Sequence, residues 1–179
     1  MKLLTELPTT PVALTIGMFD GVHFGHQEIL KRLKKTGQKV AVLTFAPHPL
    51  QVLRPQNPSP RPITSPGQKQ RLLAHFGVDL LITLPFTLDF AKMPFDALLE
   101  AIPLTHLILG EGSAFGKGRQ GTEAAVRSWA SGKPISIDYI PQLLLDGERV
   151  SSSRIRAALE RGDTTEAERL LGWTIKGII

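Results

Sequence analysis

The chain has no cysteine. Disulfides, thiolate metal sites and a cysteine nucleophile are thereby excluded, and the composition suits the cytosol. It has no run of about 18 apolar residues, and Met1-Lys2-Leu3-Leu4-Thr5-Glu6 carries no long apolar stretch before a small-residue cleavage site. Neither a membrane span nor an export signal is expected, and the expected location is cytoplasmic. Internal repeats, a domain-scale linker and any base-reading or stacking motif are also missing. Nucleic acid is therefore not an expected partner, although the formal net charge of +5 favours anionic ligands.

What is present fits one globular domain: 179 residues, 42% hydrophobic and 21% charged, enough for a sizeable core. Lys31, Arg32, Lys34, Lys35 and Lys39 are spaced around a helix and its exit, as on a solvated surface. Short, nearly continuous apolar runs at 12–16, 39–45, 78–84, 106–109 and 135–140 have the character of strands buried on both faces of a parallel sheet. Helical periodicity separates them, so the expected class is α/β.

A first helix is expected from about Gly25 to Thr36, with Ile29, Leu30 and Leu33 on one face and a stop at Gly37. Ser65-Pro66-Gly67-Gln68 combines an N-cap serine, a first-turn proline and a capping-box glutamine, opening a second helix that Gly77 ends. Further helical segments fall at 94–102 and 122–131, and Ser152 or Ser153 is expected to cap a last helical region interrupted by Gly162. Of the 14 prolines, Pro47, Pro49, Pro55, Pro58, Pro60, Pro62 and Pro66 crowd one segment, which has the composition of a lid or binding loop.

Chemistry concentrates in Gly17-Met18-Phe19-Asp20-Gly21-Val22-His23-Phe24-Gly25-His26, directly after the run Val12–Ile16. A buried strand, a glycine-rich turn and a helix start bring the imidazoles of His23 and His26, three residues apart, toward one point. Free N–H groups and the helix dipole add positive potential there, so a triphosphate is the natural occupant. A loop with two histidines of no special role, or a metal site formed by them with Asp20, is the alternative. Arg149-Val150-Ser151-Ser152-Ser153-Arg154-Ile155-Arg156 offers hydroxyls at a helix start and an arginine one turn later, a second anion clamp. Ser152, Ser153 and Arg156 are the stronger phosphate candidates in it, and Arg149 is the weaker. Asp79 reads as the shaper of a helix-to-strand turn, and Phe86, Phe90, Phe95, Trp129 and Trp173 read as packing residues.

The string Gly17-x-Phe19-Asp20-Gly21-Val22-His23-x-Gly25-His26 resembles the N-terminal adenylyltransferase module of bacterial FAD synthetases, the bifunctional riboflavin kinase/FMN adenylyltransferase family. Thr44-Phe45-Ala46-Pro47-His48-Pro49 and the serine-arginine segment look like two further motifs of that family. The loop Gly110-Glu111-Gly112-Ser113-Ala114-Phe115-Gly116-Lys117-Gly118-Arg119 is similar to a fourth, with Gly112 and Ser113 in place of a polar residue and an aromatic.

The resemblance implies a Rossmann-like nucleotidylyltransferase with a five-stranded parallel sheet in the order 3-2-1-4-5, helices on both faces, and transfer of AMP from ATP to FMN to give FAD and pyrophosphate. On this basis Gly17, Met18, Phe19, Asp20, His23, His26, Ser152, Ser153 and Arg156 are the expected ATP ligands, with His23, His26 and Arg156 catalytic. Pro47, His48, Phe115, Gly116, Lys117 and Arg119 are the expected FMN ligands. Mg²⁺ is expected with ATP, its ligands unassigned. Similarity extends from about Leu14 to Gly172; residues 1–172 are expected to form the adenylyltransferase domain, and 173–179 the junction toward a riboflavin kinase domain of a longer parent. A cytidylyl or pantetheine-phosphate adenylyl transferase, and a nucleotide-binding homologue without turnover, stay open as alternatives.

Overall fold

The computed structural model describes residues 1–57 and 60–178. Pro58 of the proline-rich segment and Ile179 of the expected junction lie outside the described residues. Among the described residues, eight strands and seven α-helices follow one another as β1 (Lys2–Leu4), β2 (Val12–Ile16), α1 (Phe24–Lys34), β3 (Val40–Ala46), α2 (Pro49–Leu53), α3 (Pro66–His75), β4 (Leu80–Pro85), α4 (Phe95–Glu100), β5 (Leu104–Gly110), α5 (Glu123–Ala130), β6 (Ser136–Ile140), β7 (Leu144–Leu145), β8 (Glu148–Arg149), α6 (Ser152–Glu160) and α7 (Thr164–Leu171).

The main sheet has the order β1-β4-β3-β2-β5-β6 with every pairing parallel. The expectation of five strands is corrected to six. The five expected runs lie side by side in the implied order, and β1 adds an edge by pairing Leu3 with Leu81. Three residues, mostly exposed, carry no readable periodicity, which is why β1 escapes sequence inspection.

Alternation along each strand sends its side chains to two separate cores. Val12, Leu14, Leu43, Ile82 and Leu107 face α4 and α5 through Leu98, Leu99 and Val126. Ala13, Val42, Leu81 and Ile108 face α1 and α3 through Ile29, Leu30, Leu33, Leu72 and Leu73. Both faces are thus covered, which explains why the strands read as continuous apolar runs.

Local signals account for the helix ends. Ser65 and Gln68 form the expected capping box, with Gln68 N–H donating to Ser65 Oγ at 3.2 Å and Ser65 N–H to Gln68 Oε1 at 2.9 Å. Asp79 Oδ2 accepts from Val40 N–H at 2.8 Å, so this residue shapes the turn into β4 as expected. The cap of α6 is Ser151, not Ser152 or Ser153: its Oγ accepts from Arg154 N–H at 3.2 Å. After Gly162 the chain forms α7, and α6 and α7 enclose a third small core of Val150, Ile155, Ala158, Ala167, Leu170 and Leu171.

Candidate active site

Loop 17–23 leaves β2 in a conformation that polypeptides rarely adopt. Phe19, Gly21 and Val22 have φ of 49°, 81° and 40°. A β-branched residue at positive φ costs on the order of 1–3 kcal/mol and persists only where its surroundings enforce it. Here the enforcement comes from remote segments. The Asp20 carboxylate accepts from Ile63 N–H at 3.0 Å, Thr64 N–H at 3.1 Å, Thr64 Oγ1 at 3.3 Å and Arg156 Nη2 at 2.8 Å. Ser152 Oγ donates to Asp20 O at 2.9 Å, Trp173 Nε1 to Gly21 O at 2.9 Å, and Gln27 Nε2 to Val22 O at 2.8 Å.

The helix that follows starts without a side-chain cap. His23 is the N-cap residue of α1 and makes no capping bond, and no acidic residue occupies the first turn. The first backbone N–H groups keep their hydrogen-bonding capacity for a ligand. His23 and His26 stack with ring centroids 3.7 Å apart and planes at 17°, and Phe19 backs His26 at 4.6 Å. Burial, reinforced by the charge of Arg149, lowers the pKa of His23 to about 4. Burial, then His23 and Lys69, holds His26 well below its ordinary value. At neutral pH both rings are therefore uncharged. Each Nδ1 is buried without a hydrogen-bond partner. A neutral imidazole keeps one N–H, so each ring can donate a single hydrogen bond to a phosphate oxygen.

Both rings line a cleft of about 230 Å³ whose walls include Gly110, Ser113, Arg149 and Ser152. The cleft opens at the carboxyl ends of β2, β5 and β6, beside the switch point where the chain passes from one half of the sheet to the other. Ser151 and Ser152, the start of α6, face the start of α1 across it, so two helix N-termini share one space. Hollows of about 500 and 480 Å³ lie elsewhere, along α1, α3 and the Trp173 tail, and contain neither histidine.

Not every expected residue reaches this cleft. Phe19 is 1% exposed and packs beneath His26, so its side chain does not line the cleft. Asp20 is fully engaged by protein donors, and among the described residues no group of three His, Asp or Glu side chains could hold a metal ion. Arg156 is committed elsewhere, its Nε donating to Arg61 O at 2.9 Å and its Nη2 to Asp20. The arginine that lines the cleft is Arg149, the weaker candidate of the sequence. Ser153 is exposed beside it. Gly17 N–H donates to Leu43 O at 3.0 Å, and Met18 O accepts from Lys69 Nζ at 3.2 Å.

Lys69 carries no sequence signal, because Gln68-Lys69-Gln70 reads as the solvent side of α3. Folding half-buries it, lowering its pKa, and its charge is felt by both His26 and His48.

The expected flavin residues sit farther along the same sheet edge. A cis bond joins Ala46 to exposed Pro47, and His48 caps α2 with its Nδ1 accepting from Leu50 N–H at 3.2 Å. Phe115 packs edge-on against Phe95 at 6.2 Å. Gly116 has φ 74°, and a Cβ there would stand 2.7 Å from Phe95 N, so only glycine lets the loop lie this close to α4. Lys117 and Arg119 are exposed on the following turn. Between the two groups, Phe45, Phe86 and Phe90 form a half-buried aromatic cluster with centroids 5.3 to 5.7 Å apart.

The histidine pair makes stability depend on pH in a defined direction. Each ring binds a proton less readily folded than unfolded, so the unfolded chain takes up protons first on acidification. Stability from His23 is complete above its unfolded value near 6.5 and is lost as pH falls toward about 4. The loss amounts to roughly 3 kcal/mol over that window. Urea denaturation at a series of pH values should show this slope, and His23→Gln should make it shallower, His26 supplying the remainder; parallel profiles for the two proteins would contradict it.

The sequence pattern of the FAD synthetase family matches residues 6–154, which hold the histidine pair, the Pro47-His48-Pro49 turn and the glycine-rich loop. The chain belongs to this family. It is 36% identical over 175 residues to an FAD synthetase of Listeria monocytogenes, covering 93% of this chain and 71% of that one. A bifunctional riboflavin kinase/FMN adenylyltransferase of the same organism is 32% identical over 176 residues, covering 93% of this chain and 56% of that protein. The chain thus spans about half the length of the bifunctional relatives it matches. Among solved structures, a macrolide-efflux protein from Streptococcus pneumoniae superposes with a TM-score of 0.85 at 25% identity, over 97% of this chain and 62% of that one. Among the described residues of this chain, no helix is long and apolar enough to cross a membrane.

Proposed function

We propose that the chain is an FMN adenylyltransferase. A phosphate oxygen of FMN attacks the α-phosphorus of ATP, a new P–O bond forms, the bond from that phosphorus to the β-phosphate bridge breaks, and pyrophosphate leaves with the electron pair. The observation that carries this reading is the neutral, stacked His23–His26 pair at the uncapped start of α1, facing the start of α6 and Arg149 across one cleft.

A reaction between two phosphates needs no enzyme nucleophile; positioning and stabilisation of charge on the transferring group do the work. His23 and His26 donate to oxygens of the triphosphate, and the N–H groups of Gly25 and His26 add to them. Ser152, with Ser153 at its edge, and Arg149 bind the phosphates from the α6 side. Arg156 acts at one remove, through Asp20, on the shape of loop 17–23. FMN lies along the edge formed by Pro47, His48, Phe115, Gly116, Lys117 and Arg119, with the aromatic cluster as an apolar wall. Mg²⁺, which the family resemblance implies, would be held chiefly by the phosphate oxygens of ATP; among the described residues no group of three His, Asp or Glu side chains could hold a metal ion.

Gly112 supports the same reading despite the departure from the family pattern. Its φ of 76° lies in the left-handed region that glycine, asparagine and aspartate share, so the loop keeps its backbone path whichever of the three is present. The transferring unit is residues 1–172, and Trp173 packs onto two of its cores and bonds Gly21 O. A screen of nucleotides and acceptors tests the assignment: FMN with ATP should give product, and riboflavin or pantetheine phosphate with ATP should not. Turnover with CTP but not ATP would defeat it.

A further inference from the structure

We infer that Arg154 is a positioning residue, pinning the β7–β8 hairpin so that Arg149 is held at the phosphate cleft; this rests on the proposed role of Arg149 in binding ATP. The hairpin is tied at its base, where Val150 is buried and its N–H donates to Leu143 O at 2.9 Å, but the ribbon beyond that point is too short to hold its position alone. Its strands are two residues each, pairing Leu144 with Arg149 and Leu145 with Glu148. Asp146 and Gly147 form its turn at φ 56° and 79°, the mirror-image turn suited to tight hairpins. An isolated two-stranded ribbon is marginal in water, and Arg149 stands on its last residue.

Arg154, in the first turn of α6, binds both strands with one guanidinium. Its Nη1 donates to Leu145 O at 3.1 Å and to Glu148 O at 3.2 Å, and its Nε lies 3.4 Å from Glu148 Oε2. Its Nη2 donates to Glu166 Oε1 on α7 at 2.6 Å, and the two side chains are only 20% and 18% exposed. Glu166 Oε2 accepts from Arg169 Nε at 2.9 Å, and Arg169 reaches back to Asp146 in the hairpin turn. The chain of contacts therefore closes on itself: hairpin, Arg154, Glu166, Arg169, hairpin. A forked donor is required, because a lysine ammonium cannot span two carbonyls and a carboxylate in one plane.

Arg154 itself does not line the cleft, whereas Arg149, the residue after Glu148, does. Removal of the pin should therefore be felt by ATP through Arg149. Binding of MgATP to the full chain, measured by equilibrium dialysis at 25 °C, together with KM and kcat, tests this. Arg149→Met, Arg154→Met and Arg154→Lys should each raise the ATP dissociation constant and KM about tenfold, the scale of one charge-assisted contact, and the two Arg154 variants should keep kcat within about threefold. Asp146→Asn, an exposed change that leaves the cores intact, should raise both about two- to threefold. The double variant Arg149→Met/Arg154→Met should bind ATP no more weakly than Arg149→Met alone.

A lower melting temperature with unchanged ATP affinity in Arg154→Met and Asp146→Asn would overturn the inference, as would additive losses in the double variant. If Arg154→Met does not fold, Asp146→Asn decides. Unchanged ATP affinity in Arg149→Met removes the premise, while absence of FAD from the parent chain that still binds ATP contradicts the proposed function and leaves the binding test of the hairpin standing.

Discussion

Alanine at both His23 and His26 is expected to lower kcat/KM for FAD formation by about 10³- to 10⁴-fold. A preorganised donor aimed at developing charge in a water-poor site is worth about 10² to 10³ in rate, and donors serving the same phosphate chain combine less than additively. The rings are held for this task by stacking on each other and on Phe19, with no hydrogen bond to protein at either Nδ1. Because both are neutral when free, they impose no fixed charge on the site. A bound triphosphate will raise their proton affinity, and NMR titration of the imidazoles should show both pKa values moving up on addition of MgATP. ATP should still bind to the double variant, since the starts of α1 and α6 remain. Turnover within a few-fold of the parent would show that the rings only pack.

Asp20→Ala is expected to destabilise the fold by about 3–5 kcal/mol, because it leaves the Arg156 guanidinium without its counter-charge in a largely enclosed site. The side chains of Arg156 and Asp20 are 16% and 13% exposed. For a domain of this size, such a loss lowers the melting temperature by about 10 °C or more. Two backbone donors and the Thr64 hydroxyl lose their acceptor in the same change, releasing the segment at 63–64 from loop 17–23. With the loop no longer compelled into positive φ at Phe19 and Val22, turnover should fall at temperatures where the chain remains folded. Asp20→Asn, which keeps one acceptor oxygen but not the charge, should lose less stability. Calorimetry of the two variants checks the order; a melting temperature unchanged in Asp20→Ala would remove Asp20 from its place as the brace of the site.

These two residues also mark what a linear sequence can and cannot reveal. His23 and His26 are legible because strand, glycine turn and helix are consecutive, so local geometry alone brings the rings together. The strands β2 to β6 are legible because burial on both faces leaves unbroken apolar runs, and α3 because Ser65 and Gln68 cap it locally. Asp20, by contrast, is indistinguishable in sequence from a ligand; its actual partners lie 43, 44 and 136 positions away. The placements of Arg149 and Arg156 differ for the same reason, since only the fold decides which arginine lines the cleft and which meets Asp20. The β7–β8 hairpin left one short signal, the Asp146-Gly147 dipeptide, and two-residue strands give no periodicity to support it. Lys69 left none.

The most direct measurement is incubation of the purified chain with FMN, Mg²⁺ and ATP labelled at the α-phosphorus, followed by chromatographic separation of FAD and pyrophosphate. Label appearing in FAD, with unlabelled pyrophosphate released in equal amount, is the expected result of attack by the FMN phosphate on the α-phosphorus. Binding of both substrates without labelled FAD, or label released as free AMP with FMN unchanged, would contradict adenylyl transfer to FMN.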